Sequence, residues 1–312
     1  MFWWKKKKKT TEQQPAEPLP VTKDNCVLKV VVKTDVGNVR KNNEDSGTFV
    51  KIADEGINSS KGCMLLVADG MGGHNAGEVA SKIAMETISE EYFKKNSDTD
   101  IEKALANSFV TANKKIFSMS QTDASYKGMG TTCTVLVVTG AQVYFAHAGD
   151  TRAYFLKNNQ IKQITEDHTY VQQLVNNGDI TAAEADVHPQ RNVLINAMGT
   201  KPTLRVDTGK SDLTFNENDK LLLCSDGLHD YLSDDELAEA MQKKSLQEIA
   251  DYLIDEAKRR GGKDNITVAL AQKISTAPQT ETKLTRDIEL PGNNNDTSAM
   301  KLTRDVNLPN GI

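Results

Sequence analysis

The stretch Cys63-Met64-Leu65-Leu66-Val67-Ala68-Asp69-Gly70-Met71-Gly72-Gly73-His74 decides how the rest of the chain reads. The apolar run Met64–Ala68 is too short for a globular helix and predicts a strand buried on both faces. It stops at Asp69, with Gly70, Gly72 and Gly73 following. A carboxylate at the lip of a core is costly to desolvate, and a cation is the usual remedy. The same pattern recurs along the chain. Leu221-Leu222-Leu223-Cys224-Ser225-Asp226-Gly227 is a second apolar run that delivers Asp-Gly, and Val143-Tyr144-Phe145-Ala146-His147-Ala148-Gly149-Asp150 is a slightly shifted third. Asp264 precedes the strand-like Ile266–Leu270, and Glu44-Asp45 lies between two expected strands. One strand-end Asp-Gly is an ordinary turn. Several in one chain, with few competing ligand types, point to an oxygen-lined cation site.

Carboxylates and carbonyls without Cys or His ligands favour Mg²⁺ or Mn²⁺ over zinc. Two such ions about 3.5–4 Å apart can activate a water and clamp a phosphoryl group for in-line attack. A carboxylate shared between them must come from a rigid place, and Asp69, at a core strand end, is the best candidate. The Gly70 carbonyl can add a ligand, because no side chain blocks its approach. Other chemistries lack their residues. Gly72-x4-Gly77 is followed by Glu78-Val79, so it is no P-loop. No Cys has an Arg six positions on, and neither H-E-x-x-H nor G-x-S-x-G occurs.

The 312 residues allow one large domain or two ordinary ones, and 38% hydrophobic content is enough for a core. The net charge of −5 gives no support for nucleic-acid binding. Residues 1–24 hold six Lys and three acidic residues, which leaves a net of −8 on the remainder. Cys26, Cys63, Cys133 and Cys224 are widely separated with no C-x-x-C pair, and three lie in apolar runs. That suits reduced, buried thiols and a cytoplasmic protein. No apolar stretch approaches the ~20 residues of a membrane span. No apolar segment follows the N-terminal lysines, so a secretory signal is not expected. Met1-Phe2-Trp3-Trp4 with Lys5–Lys9 reads as a disordered basic tail or, alternatively, as a peripheral membrane contact through residues 1–9.

Three parts are expected: an extension over 1–24, a catalytic domain over 25–274 and a disordered tail over 275–312. Within the domain, Cys26–Lys33 and Gly47–Ile52 read as the first strands. Ala76, Val79, Ala80, Ile83, Ala84, Ile88 and Tyr92 keep helical spacing, as do Ile101, Leu105, Phe109, Ala112 and Ile116. Thr99 and Glu102 have the spacing of a capping box for the second helix. Thr131–Thr139, Gln142–Ala148 and Thr151–Leu156 read as consecutive antiparallel strands. The segment 165–200 reads as a polar, mostly helical surface flap. Lys220–Cys224 is the strand before Asp226, and capped helices start at Ser233 and Ser245. In the tail, Lys283-Leu284-Thr285-Arg286-Asp287-Ile288-Glu289-Leu290-Pro291 returns as Lys301-Leu302-Thr303-Arg304-Asp305-Val306-Asn307-Leu308-Pro309. It reads as a bivalent docking or phosphorylation element, or as a duplication without function.

Taken in order, Arg40-x3-Glu44-Asp45, Asp69-Gly70-Met71-Gly72-Gly73-His74, Gly128-Met129-Gly130-Thr131-Thr132, Gly149-Asp150-Thr151-Arg152, Ser225-Asp226-Gly227-Leu228 and Asp264-Asn265 resemble the motifs of the type-2C (PPM) metal-dependent Ser/Thr protein phosphatases, bacterial type. The resemblance covers roughly Lys29–Gln272. It implies an α+β fold, a four-layer α-β-β-α sandwich of two antiparallel sheets flanked by helices, with metals at one end. It implies hydrolysis of phosphoserine and phosphothreonine, opposing Hanks-type kinases, by a monomer that uses two or three Mn²⁺ or Mg²⁺ ions. By the same resemblance Asp69 bridges two ions and Asp226 and Asp264 complete the first site. Glu44 and the Gly70 carbonyl serve the second, with Asp45 acting through water. Asp150 resembles the ligand of a third ion, Asp230 an additional acidic position, and Arg40 the group that grips substrate phosphate. Eukaryotic members carry a His directly after the Asp-Gly as a proposed general acid, where this chain has Met71. His74 either replaces it or merely caps the following helix. Two other functions share the framework: a non-catalytic phosphoprotein-binding pseudophosphatase and a dedicated phosphatase of an anti-sigma antagonist.

Overall fold

The computed structural model describes residues 28–52, 60–72, 76–94, 100–243 and 245–274. The chain opens with strands β1 (Leu28–Asp35), β2 (Asp45–Val50) and β3 (Cys63–Met71), then helices α1 (Ala76–Phe93) and α2 (Ile101–Thr122). Next come β4 (Gly130–Thr131), β5 (Cys133–Thr139), β6 (Gln142–Ala148), β7 (Arg152–Lys157) and β8 (Gln160–Gln163). The short helices α3 (Tyr170–Asn177) and α4 (Ala182–Asp186) precede β9 (Asp207–Lys210) and β10 (Lys220–Cys224). Helices α5 (Asp226–His229), α6 (Asp234–Ala240) and α7 (Leu246–Arg259) lead to β11 (Ile266–Lys273).

Two antiparallel sheets result, one ordered β1-β11-β10-β7-β8 and the other β2-β3-β5-β6-β9, with β4 paired to the end of β3. Side-chain alternation explains why β3 is apolar on both faces. Leu65 and Val67 point between the sheets, where they meet Phe155, Leu221, Leu223 and Ala269. Met64, Leu66 and Ala68 point outward beneath α1 and α2, against Ala80, Ile88, Leu105 and Phe109. Strand β10 divides in the same way, with Leu222 and Cys224 packed under Leu237, Ile249 and Leu253 of α6 and α7. The architecture is the α-β-β-α sandwich expected from sequence.

Three details differ from the sequence expectation. Strands β6 and β7 do not pair; β6 lies between β5 and β9, whereas β7 joins β8 and β10 in the other sheet. The chain changes sheets at Gly149, which has φ of +121° and passes so close to Thr132 that a Cβ would sit 2.3 Å from the threonine Cβ. The second helix is capped by Asp100, whose carboxylate accepts from the Lys103 amide at 3.2 Å, rather than by a Thr99–Glu102 box. Asp is as good an N-cap as Thr and sits one residue closer to the helix. The 165–200 segment carries only α3 and α4, so it is loop for most of its length. The capping boxes at Ser233–Glu236 and Ser245–Glu248 form as the spacing requires. Residues 1–27 and 275–312, with the basic start and the duplicated motif, lie outside the described residues.

Candidate active site

The acidic residues reach one end of the sandwich by separate routes. The β2–β3 register sets Asp45 directly opposite Asp69. Asp226 opens α5 immediately after β10, Asp264 stands two residues before β11, and Asp150 lies in the turn between β6 and β7. Burial first, then the charges of Asp45, Asp226, Asp150 and Asp264, push the Asp69 carboxyl well above the usual range. Asp226 is pushed up in the same way, by burial and then by Asp150, Asp264, Asp230 and Asp45.

Neighbouring groups hold the backbone of several of these acids and the Asp45 carboxylate directly. The Asp69 carbonyl accepts from the Thr132 amide at 2.9 Å and the Thr131 hydroxyl at 2.8 Å. The Asp69 amide in turn donates to Thr132 Oγ1 at 3.3 Å. Ser225, fully buried, donates its hydroxyl to Asp45 Oδ2 at 2.8 Å and accepts the Thr267 amide at 3.0 Å. Asn265 ties the 36–44 loop to the start of β11. Its Oδ1 accepts the Glu44 amide at 2.8 Å, and its Nδ2 donates to the Val36 and Asn42 carbonyls, each at 3.0 Å. His229 donates from Nε2 to the Asp150 carbonyl at 3.0 Å, which fixes the tautomer with Nδ1 unprotonated.

Glu44 sits where two backbones nearly touch. Its carbonyl accepts from the Gly70 amide at 3.2 Å, and its carboxylate lies against Gly77 in the first turn of α1. A Cβ at Gly77 would come within 2.7 Å of Glu44 Oε2 and 2.8 Å of the Gly70 carbonyl carbon. Only glycine leaves room there. Arg40, half-exposed, donates to Asp264 Oδ2 at 2.6 Å, and Asp264 Oδ1 accepts the Asn265 amide at 2.8 Å.

Crowded carboxylates in a dry pocket hold their protons. Burial raises Asp45 to about 6 despite hydrogen bonds from Thr267 and Ser225. Burial, then the charge of Asp167, raises Asp150 to about 7. Glu44 is raised by burial, with Arg40 opposing and Asp264 reinforcing. Asp167 behaves oppositely: burial would raise it, but the Arg152 charge and hydrogen bonds at 2.7–3.0 Å hold it below the usual range. The decisive detail concerns lone pairs. Among the described residues, the buried side-chain oxygens without a hydrogen-bond partner are Asp45 Oδ1 and Asp226 Oδ1, both in this cluster. A buried carboxylate oxygen without a donor is costly, and coordination to a cation would offset that cost. No three acidic, His or Cys side chains among the described residues stand close enough to hold one ion by themselves. Carbonyl and water ligands, the usual complement for Mg²⁺, would have to complete any shell.

Residues 44–270 match the family model described as Protein phosphatase 2C. The chain belongs to the protein phosphatase 2C family. It is 37% identical over 245 residues to the serine/threonine phosphatase stp of Listeria welshimeri, across 77% of this chain and 94% of the relative. Among solved structures, the S. agalactiae serine/threonine phosphatase superposes with a TM-score of 0.73 at 33% identity, over 80% of this chain and 100% of that one. The catalytic domain of serine threonine protein phosphatase PstP in complex with 2 manganese ions gives 0.67 at 34% identity, over 80% and 99%.

Of the residues singled out in this protein phosphatase's sequence, the structure sets Asp45 opposite Asp69, pairs Arg40 with Asp264, bonds the Gly70 amide to the Glu44 carbonyl and puts Asp150 and Asp226 in the lining of one cavity. His74 lies outside the described residues. Asp230 is gripped by Arg191 of the 165–200 segment through bonds of 2.7 and 2.9 Å. His147 is a satisfied core histidine, bonded to Thr134 and the Glu166 carbonyl. Cys224 is a buried apolar filler whose thiol burial pushes up to about 12. Sequence reasoning assigned no role to Ser225, Asn265, Thr131, Thr132, His229 or Gly77. Ser225, Asn265, Thr131 and Thr132 already stood inside the quoted motifs, beside the acids they hold; that adjacency was the available signal.

Proposed function

We propose that this phosphatase hydrolyses phosphoserine and phosphothreonine in proteins, opposing Ser/Thr kinases, with Mn²⁺ or Mg²⁺ held at the acidic end of the sandwich. The observation that carries the metal reading is the pair of orphaned buried oxygens, Asp45 Oδ1 and Asp226 Oδ1, within a cluster whose members raise one another's proton affinity. The donor set is all oxygen, which suits a hard divalent cation. Asp69, Asp226 and Asp264 would contribute to holding one ion, with carbonyl and water ligands completing its shell. Asp69, Glu44 and the Gly70 carbonyl would hold the second, with Asp45 acting through water, and Asp150 would serve a third. Bound ions supply an activated water and offset the negative charge of the phosphoryl oxygens.

The chain's own groups do the rest. Arg40, half-exposed and donating to Asp264, would take phosphoryl oxygens through its planar fork. Thr131 and Thr132 hold the Asp69 backbone from both sides, which keeps the shared carboxylate in place without reorganisation. Ser225 and Asn265 do the same for Asp45 and for the loop carrying Glu44. A function limited to sequestering phosphoproteins has no support here, because every expected carboxylate is present. Phosphate release from a phosphothreonine peptide should require added Mn²⁺ or Mg²⁺. It should fall by at least about 100-fold in Asp69→Ala and Asp226→Ala. Full activity in either variant would overturn the site.

A further inference from the structure

The acidic centre opens into a groove of about 610 Å³, within the range of a ligand cleft and larger than a phosphate group needs. Asp150 and Asp226 are part of its lining, with residues of the 165–200 segment and of 229–236. One wall is apolar. Val171 and Val175 are spaced i, i+4 on α3, and Ala182 and Ala185 i, i+3 on α4, and all four line the groove.

The other character of the groove is negative. Seven of its lining residues are Asp or Glu and two are Arg. Both guanidinium groups are already engaged, Arg152 with Asp167 and Arg191 with Asp230. Glu236 is neutralised by Arg260. Asp150 and Asp226 belong to the centre itself. Asp186, at the end of α4, and Asp234, at the start of α6, remain: both are exposed and neither has an ion pair among the described residues.

We propose that this groove reads the residues flanking the phosphorylated one, taking an aliphatic side chain on the α3–α4 wall and a cationic side chain between Asp186 and Asp234. The proposal rests on the phosphatase reading above and names its substrate class: phosphothreonine segments of basic and aliphatic character. Asp150 and Asp226 join the groove to the acidic centre, so residues flanking a phosphate bound at that centre would reach its walls. A Lys or Arg there meets a net negative field, since the lining's acids outnumber Arg152 and Arg191, whereas a Glu or Asp meets repulsion. The chain carries this pattern twice in its own sequence, as Lys283-Leu284-Thr285-Arg286 and Lys301-Leu302-Thr303-Arg304. Those segments, made as phosphothreonine peptides, are the natural probes.

The test is a set of kcat/KM ratios, in which any loss of folded enzyme cancels. Three phosphothreonine peptides are compared: the Lys283–Pro291 sequence, a copy with Glu at positions 283 and 286, and a copy with Ser at position 284. The native sequence should exceed the Glu copy by about tenfold or more and the Ser copy several-fold. In the double variant Asp186→Lys, Asp234→Lys the first ratio should fall to unity or invert. In Val175→Ser the second should shrink towards unity. Equal turnover of all three peptides by the wild type overturns the groove proposal but leaves the catalytic centre intact, as do unchanged ratios in the variants. Turnover of no peptide in saturating Mn²⁺ overturns the catalytic reading, and the groove proposal with it.

Discussion

Manganese binding should release protons, with an affinity that rises between about pH 5 and pH 7. Burial holds the Asp45 carboxyl at about 6 and the Asp150 carboxyl at about 7. It holds Asp69 and Asp226 well above the ordinary carboxylate range. The sign follows from these directions. Without metal, each raised carboxyl contributes stability that is fully present below about pH 4 and is lost as pH climbs through its folded value. An ion favours the charged form, so below that folded value it must expel a proton first. Each pH unit below a folded value then weakens binding about tenfold per displaced proton, or about 1.4 kcal/mol. Between pH 7.5 and 5.5 the Mn²⁺ affinity should therefore fall by at least about tenfold. Calorimetry in two buffers of different ionisation enthalpy counts the protons directly, and at pH 6.5 at least about one should leave per ion bound. An affinity independent of pH, with no proton released, would show that these carboxylates are already ionised and that their burial does not govern the site.

Gly77→Ala places a methyl group 2.7 Å from Glu44 Oε2 and against the Gly70 backbone, so phosphopeptide kcat/KM should drop about tenfold or more with the helical circular dichroism retained. Unaltered kinetics would remove Glu44 from the machinery. Arg152→Met strips a buried Asp167 of its bidentate partner, an uncompensated charge that costs about 3–5 kcal/mol. Calorimetric melting should move down by roughly 10 °C. Burial depresses His147 and His229 to about 4, so the stability they contribute is present above about pH 6.5 and is lost as pH falls through about 4. In His147→Gln the acid side of a Tm-versus-pH profile should be shallower by about one proton.

Much of this was legible in the chain. Runs such as Met64–Ala68 and Leu221–Cys224 announce strands with two buried faces, and the family resemblance implied the α-β-β-α stack that covers them. Asp69, Asp150 and Asp226 were legible because each ends such a run, and Asp264 because it precedes one. Long-range pairing was not. That β6 and β7 belong to different sheets depends on how Gly149 turns against Thr132, a contact 17 residues apart in sequence. Strand β8 is short and polar, and only the left-handed Asn158-Asn159 turn marks its hairpin. The helical reading of 165–200 failed because its caps and polar spacing support only short helices, while Arg191, Asn196 and His168 are used to tie the segment down. The anchoring roles of Ser225 and Asn265 emerge only when β2, β10 and β11 meet, since their partners lie up to 229 residues away.

The central claim is that acidic residues from distant parts of the chain converge to hold a pair of divalent ions around Asp69. Anomalous diffraction from a crystal grown with Mn²⁺ measures it most directly. Two peaks about 3.5–4 Å apart are expected, with the Asp69 carboxylate between them and Asp226 and Asp264 on the same side as one. A map with Mn²⁺ elsewhere on the protein and no density at Asp69 would contradict the account.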